Sequence, residues 1–237
     1  MSGSGSTSSP PSFGETRNAT PLAYPRPMEQ TWEWIADERR MLADLVEGLD
    51  EAQLATPSLC AGWAVRDVFA HLALSLDPSP GATLRAAVRS GFRMNRAIQA
   101  LTADAAQRST PELVELFRSR ADHHWNPPGF GPSAPLTDLL VHGVDLRRPL
   151  GLDHAPDPDA LRAALDFVTT TKAGFGFTDR GNQRGLRFEA SDLEWADGSG
   201  PAVRGPGLPL LVAMCGRPAV LDELSGEGVA ELRTRLA

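Results

Sequence analysis

Lysine is almost missing from this chain: Lys172 stands alone among 23 basic residues, a bias that reflects G+C-rich coding more than arginine chemistry. No basic run appears either, and the 237 residues carry a formal charge of −7. That balance argues against nucleic acid or an acidic membrane surface as partner, because phosphate binding needs clustered Lys and Arg. Two cysteines, Cys60 and Cys215, are too few for a disulfide framework, and neither stands in a CxxC pair. A reducing cytoplasm is therefore the expected compartment. No apolar run approaches the roughly 18 residues of a spanning helix. Residues 1–12, MSGSGSTSSPPS, lack the cationic start and apolar stretch of a signal peptide. No internal repeat is visible.

What is present suits a globular protein, with 41% hydrophobic and 22% charged residues, enough to bury a full core. The length exceeds the usual single domain of about 100 to 200 residues, so one main domain with a smaller partner is expected. Residues 1–28, rich in Ser, Gly, Pro and Thr, read as a disordered tail. Helical periodicity then begins near Glu29, with Trp32, Ile35, Leu42, Leu45, Val46 and Leu49 on one side. After the turn-rich TPSLCAGW, residues 56–63, a second helix carries the stripe Val65, Val68, Phe69, Leu72 and Leu76. A third helix of about 20 residues is expected after Gly81, with Leu84, Val88, Phe92 and Ile98 on one side. Thr110 and Pro111 read as N-cap and N1 of a shorter helix. The stiff loop NPPGFGPSAP, residues 126–135, leads to a helix from Leu136 to about Arg148, stopped by Pro149 and Gly151.

These elements make an antiparallel bundle of four principal helices plus one short one over residues 29–156. Residues 157–237 read as a small α+β domain: a helix from Asp159, a hairpin through LRFEASD and Trp195, a short strand at PAVR, and short terminal helices. The class is mainly α.

The chemistry concentrates in PLTDLLVHGVDLRRPLG, residues 135–151, where Asp138 and His142 stand four apart on one helical face. His71 borders the buried stripe of the second helix and is the candidate third ligand. Two imidazole nitrogens and one carboxylate oxygen suit zinc with a fourth position open, or iron or another divalent metal with more positions open. The same spacing is also met in plain helix-surface hydrogen bonds, and a lone His beside an apolar stripe in core packing. Asp145, three residues after His142, is a possible acceptor behind it, a cap, or a partner for Arg148. His123 and His124 are competing ligands, but neighbours on a helix point about 100° apart. His154 reads as a solvated loop residue. Cys60 is a possible nucleophile, but with no histidine near it in sequence and no obvious cation to lower its pKa it reads as packing, as does Cys215. Arg148, and Arg217 in CGRP, are candidates to grip a substrate carboxylate.

TPSLCAGWAVRDVFAHL, following ERRMLADLVEGLD, resembles the mycothiol-dependent maleylpyruvate isomerase family, a branch of the DinB-like bundles. PLTDLLVHGVDLRRPLG and RGPGLPLLVAMCGRP resemble its fourth-helix and C-terminal segments, so the resemblance covers residues 29–237. It implies a DinB-like four-helix bundle followed by a small α+β C-terminal domain. It also implies a divalent metal, zinc first, held by His71, Asp138 and His142, and mycothiol as thiol cosubstrate. Asp138 stands where these isomerases usually have Glu, and Ala64 where members often have a capping Thr or Ser.

The expected activity is metal-dependent isomerisation or S-transfer on a small electrophile, with Arg217 and Arg148 as the catalytic candidates. A DinB-like hydrolase using metal-bound water, or a noncatalytic metal or small-ligand binder, are the alternatives. A monomer or homodimer, with neither nucleic acid nor membrane as partner, completes the expectation.

Overall fold

The apolar stripe around Trp34 and Ile35 forms the first long helix, α1 (Met28–Glu47). The computed structural model describes residues 28–237, so the expected tail lies outside the described residues except for Met28, which already belongs to α1. A one-turn helix, α2 (Glu51–Leu54), follows behind an Asp50 and Gln53 capping box. The second long stripe becomes α3 (Val65–Ala73), whose Val65, Val68, Phe69 and Leu72 are all buried. Its N-cap is Ala64, which has no side-chain bond to give. Asp67 offsets part of that loss by accepting from the Ala64 backbone N–H at 2.9 Å.

The single third helix expected after Gly81 is two helices, α4 (Pro80–Arg89) and α5 (Met94–Ala105). The break lies at Gly91 and Phe92, with φ of +64° and +58°. Two successive left-handed residues reverse a helix, and Phe92 is the one non-glycine residue among those described that accepts such a φ. Leu84, Val88 and Phe92 consequently face outward, 62%, 58% and 76% exposed.

The next helix, α6 (Thr110–Ser119), is capped by Ser109, one residue before the expected Thr110. Pro111 is then the second helical residue, and Glu112 closes a capping box. This short helix is a full bundle member. It packs on α1 and α3, and α7 (Ser133–Arg147) packs on the same two. Phe69 of α3 stacks on Phe117 of α6 with ring centroids 4.1 Å apart; truncating either ring would cost about 3–5 kcal/mol. The four walls are thus α1, α3, α6 and α7, with the α4–α5 hairpin laid against α3 through α5.

A 3-10 turn at Arg148–Leu150 and Gly151 at φ +69° end α7. Beyond it come α8 (Pro158–Val168), the one-turn α9 (Arg180–Gln183), and three short strands, β1 (Arg187–Ala190), β2 (Ala196–Gly198) and β3 (Ala202–Gly205). β1 is central, antiparallel to β2 and parallel to β3. Then α10 (Gly207–Met214), a 3-10 segment at Pro218–Glu223 and α11 (Val229–Leu236) finish the chain. α10 is apolar all round and packs on α7, α8, β1 and β3. One continuous apolar cluster therefore runs from Ile35 in the bundle to Leu232 near the end. It sets the segment that carries Arg217 firmly against α7.

Candidate metal centre

α3 and α7 pack against each other, and their shared seam holds His71 from one with Asp138 and His142 from the other. Four residues make one turn plus 40°, so Asp138 and His142 share a ridge. His142 Nε2 lies 3.5 Å from Asp138 Oδ1. His71 closes the set, its ring edge-on to His142 with centroids 4.8 Å apart. One donor atom from each of the three lies within 4.8 Å of the other two. Ligands about 2.1 Å from a tetrahedral ion stand about 3.4 Å apart; the His142 and Asp138 pair is at that spacing, and the donor set could hold a metal ion. Asp138 reaches despite lacking the methylene of Glu.

The nitrogens away from this point are held. His142 Nδ1 is 2.8 Å from Asp145 Oδ2, and His71 Nδ1 is 3.2 Å from Thr102 Oγ1 on α5. Fixing Nδ1 fixes the ring and leaves Nε2 for an ion. Asp145 is fully buried and is the hub: Arg217 donates to it through Nε at 3.2 Å and Nη2 at 2.7 Å. The Cys60 thiol donates to the same carboxylate at 3.1 Å. Arg217 also gives Nη1 to the Cys215 carbonyl and Nη2 to Cys60 Sγ. Four of its five N–H donors are engaged, and one is left.

This pattern sets the charges. Burial first, and then the neighbouring His142, push His71 down to about 4, so it is neutral and free to ligate. Burial also works against a charge on His142, but hydrogen bonds to Asp145 and Cys60 and the two carboxylates outweigh it and lift the imidazole to about 10. Burial would raise Asp145, and it is overridden by the His142 and Arg217 hydrogen bonds, which hold the carboxyl well below its usual range. Without an ion, then, the cluster holds one proton on His142. Burial pushes the Cys215 thiol up to about 12, as expected of a packing residue.

Exposure falls from one end of the seam to the other. The Asp138 side chain is 29% exposed, His142 12% and Asp145 0%, so the ligand side opens to solvent and the supporting side does not. Trp63, from the GW pair, walls the opening with its ring 5.1 Å from that of His71.

Of the sequence candidates, His71, Asp138, His142 and Arg217 converge. Arg148 does not join them: its guanidinium pairs with Glu223 at 2.6 Å. Asp145 pairs with Arg217 and not with Arg148. His124 stacks on Trp32 at 4.5 Å, and the backbone carbonyl of His123 accepts from buried Arg39, so neither reaches the seam. His154 is not solvated, being largely buried and bonded to Glu38 at 2.8 Å. Cys60, read as packing, instead lies 3.6 Å from His142 Nδ1. The loop delivers it: Ser58 Oγ accepts from the Cys60 N–H and donates to the Trp63 carbonyl, Gly62 supplies φ +82°, and the Leu59 N–H donates to the Asp145 carbonyl. The sequence signal for this was SLCAGW itself, a turn with a polar organiser and a glycine. Thr102 carried none.

Residues 35–147 match the family model described as the mycothiol maleylpyruvate isomerase N-terminal domain. The fold is similar to the crystal structure of the mycothiol-dependent maleylpyruvate isomerase, 16% identical, with a TM-score of 0.57 over 85% of this chain and 93% of that one. A histidine-to-alanine mutant of that isomerase gives 0.56 at the same identity and coverage. No curated protein matches the chain in sequence. Among the described residues no helix is long and apolar enough to cross a membrane.

Proposed function

We propose, from the match of residues 35–147 to the model of the mycothiol maleylpyruvate isomerase N-terminal domain, that this chain is a metal-dependent enzyme that uses a low-molecular-weight thiol, mycothiol first, for isomerisation of, or S-transfer to, a small electrophile. The observation that carries the proposal is the convergence of His71, Asp138 and His142 within 4.8 Å, backed by the buried Asp145 and Arg217 pair.

His71, Asp138 and His142 would hold the ion, which when bound supplies the positive centre that keeps a cosubstrate thiol ionised at neutral pH. The chain's own groups do the rest. Asp145 fixes the His142 ring and offsets its charge. Arg217, pinned by Asp145 and the Cys215 carbonyl, keeps one N–H for a substrate carboxylate. Trp63 and the Cys60 turn narrow the opening and exclude water from the reacting pair. In the isomerisation, the cosubstrate thiolate adds to one carbon of a conjugated double bond, the electron pair moves to the carbonyl as an enolate, the former double bond rotates, and expulsion of the thiolate restores it. In the S-transfer, the enolate takes a proton instead and the adduct is the product.

Elemental analysis of the purified protein beside His71→Ala and His142→Ala, with turnover of maleylpyruvate and an electrophile panel, tests this. About one divalent ion per chain, lost in both variants, and turnover only with mycothiol is the expected result. Full metal content in His71→Ala would overturn the site. Turnover without any thiol would replace the reading with hydrolysis.

A further inference from the structure

A cavity of about 260 Å³ opens between α4 and α5, away from the histidines, lined by Arg85, Ala86, Arg89, Arg96, Ala100 and Asp104 among others. Between Asp77 and Asp104 the sequence has no acid and four arginines, Arg85, Arg89, Arg93 and Arg96. Spread over 12 residues they do not read as a basic run, but the helical hairpin gathers three of them. Arg85 and Arg89 share a ridge of α4, and Arg96 comes from the first turn of α5, a helix with no side-chain cap and no acid in that turn.

Among the described residues none of these three guanidinium groups has a hydrogen-bond or ion-pair partner, and Asp104 is within pairing distance of none of them. Five exposed arginines elsewhere lean on acids: Arg40 on Asp122, Arg108 on Asp77, Arg118 on Glu47, Arg204 on Glu189, Arg233 on Asp222. In a chain of net charge −7, three like charges set around one groove repel unless something beyond the described residues answers them. Guanidinium forks match pairs of oxyanion oxygens, each charge-assisted bond being about twice as strong as a neutral one. The cavity is smaller than the roughly 300–1,000 Å³ that holds a drug-sized molecule, so the fitting ligand has few atoms.

We propose that the α4–α5 groove is a binding site for a small multiply charged oxyanion, a phosphate monoester or a dicarboxylate, held by Arg85, Arg89 and Arg96. Two residues along a helix turn 200°, so Ala100 and Asp104 line the groove from the face of α5 opposite Thr102, which points at His71. The groove and the histidine cluster are separate sites on two sides of one helix. The apolar pair Leu84 and Val88 runs beside the arginine ridge, about 100° round α4. A lipid surface would use both ridges, but Arg85 and Arg89 line the cavity toward α5 together with Arg96, which favours a ligand inside the groove.

Calorimetric titration of the full-length, metal-loaded protein with inorganic phosphate and, separately, with succinate at constant ionic strength tests this. Binding of either is expected, with a matching rise in Tm. Phosphate alone assigns a phosphate ester, succinate alone a dicarboxylate, and both the shared oxyanion chemistry. Arg85→Gln, Arg89→Gln and Arg96→Gln should each weaken binding about tenfold, as befits loss of one charge-assisted contact. Arg120→Gln, at an exposed arginine off the groove, should leave it unchanged, and so should His71→Ala. No binding of either anion, binding indifferent to the three arginines, or loss in His71→Ala would overturn the proposal. So would binding to phosphatidylglycerol vesicles, abolished by Leu84→Ser with Val88→Ser, when neither small anion binds.

Discussion

At the α3–α7 seam each charge is answered: Asp145 takes both Arg217 and His142, and the His142 ring stands between two carboxylates. Along the α4–α5 hairpin three arginines face a cavity with no partner among the described residues, and three large apolar side chains face solvent. Burial follows the same division, with six of the nine α3 residues buried against Ala86 alone in α4. A group that must hold an ion to within a few tenths of an ångström belongs on packed helices whose rotamers are locked. A group that meets a ligand arriving from water does better where the chain is open. Thr102 joins the two regions, since it sits on α5 and holds His71.

The sharpest way to break this contrast is to remove the hub. Asp145→Ala leaves the Arg217 charge without its partner in a buried site and strips His142 of the hydrogen bond that lifts it, and deleting one partner of a buried pair costs about 3–5 kcal/mol. The matching surface change, Asp122→Ala opposite Arg40, where the side chains are 79% and 46% exposed, should cost under about 1 kcal/mol. Urea unfolding of both variants measures the difference. A loss at Asp145 as small as that at Asp122 would mean the seam is no better organised than the surface.

The proton on His142 gives the next effect. With that imidazole lifted to about 10 and His71 pushed down to about 4, zinc binding near neutrality displaces one proton, from His142. Below a pKa that has been raised, the proton competes with the ion, so apparent zinc affinity should rise about tenfold per pH unit from pH 6 to 8. Competition titrations with a chelator of known pH behaviour read that slope. A flat profile would mean that His142 is already neutral without an ion.

Much of the seam was legible because it is local: Asp138, His142 and Asp145 fall on one helical ridge whatever surrounds them, and the stripe of α3 placed His71 beside the core. What could not be read is what depends on chain-distant backbone contacts. Cys60 reaches Asp145 only because the Leu59 N–H finds the Asp145 carbonyl, 86 positions on, and no spacing encodes that. Arg148 stays away from the seam for a similar reason, since Glu223 in the C-terminal segment pairs with it. The sequence pattern hides the hairpin because Leu84, Val88, Phe92 and Ile98 keep a helical period through Ser90 and Gly91, and periodicity does not say which face the core takes.

Thr102→Val sharpens the link between the two regions. The substitution keeps the shape of a buried side chain and removes the hydroxyl 3.2 Å from His71 Nδ1, so the ring loses the contact that orients it. Loss of such a support lowers metal affinity about 10- to 100-fold. The same competition titration checks it, with circular dichroism to show an unchanged fold. An unaltered affinity would mean that α3 alone positions His71 and that the hairpin has no hold on the site.

The smallest effect is expected on the outer face of α4. Leu84 is 62% exposed, whereas Leu72, on α3, is 1% exposed. Leu72→Ala should cost about 2–5 kcal/mol through lost burial and the cavity left behind. Leu84→Ala removes little buried surface and places the best helix former in a helix, so its change should stay within about 0.5 kcal/mol of zero. Denaturant midpoints of the two variants compare them directly. A loss at Leu84 above about 1 kcal/mol would mean that this face is covered in solution, and the hairpin would then belong with the packed half of the molecule.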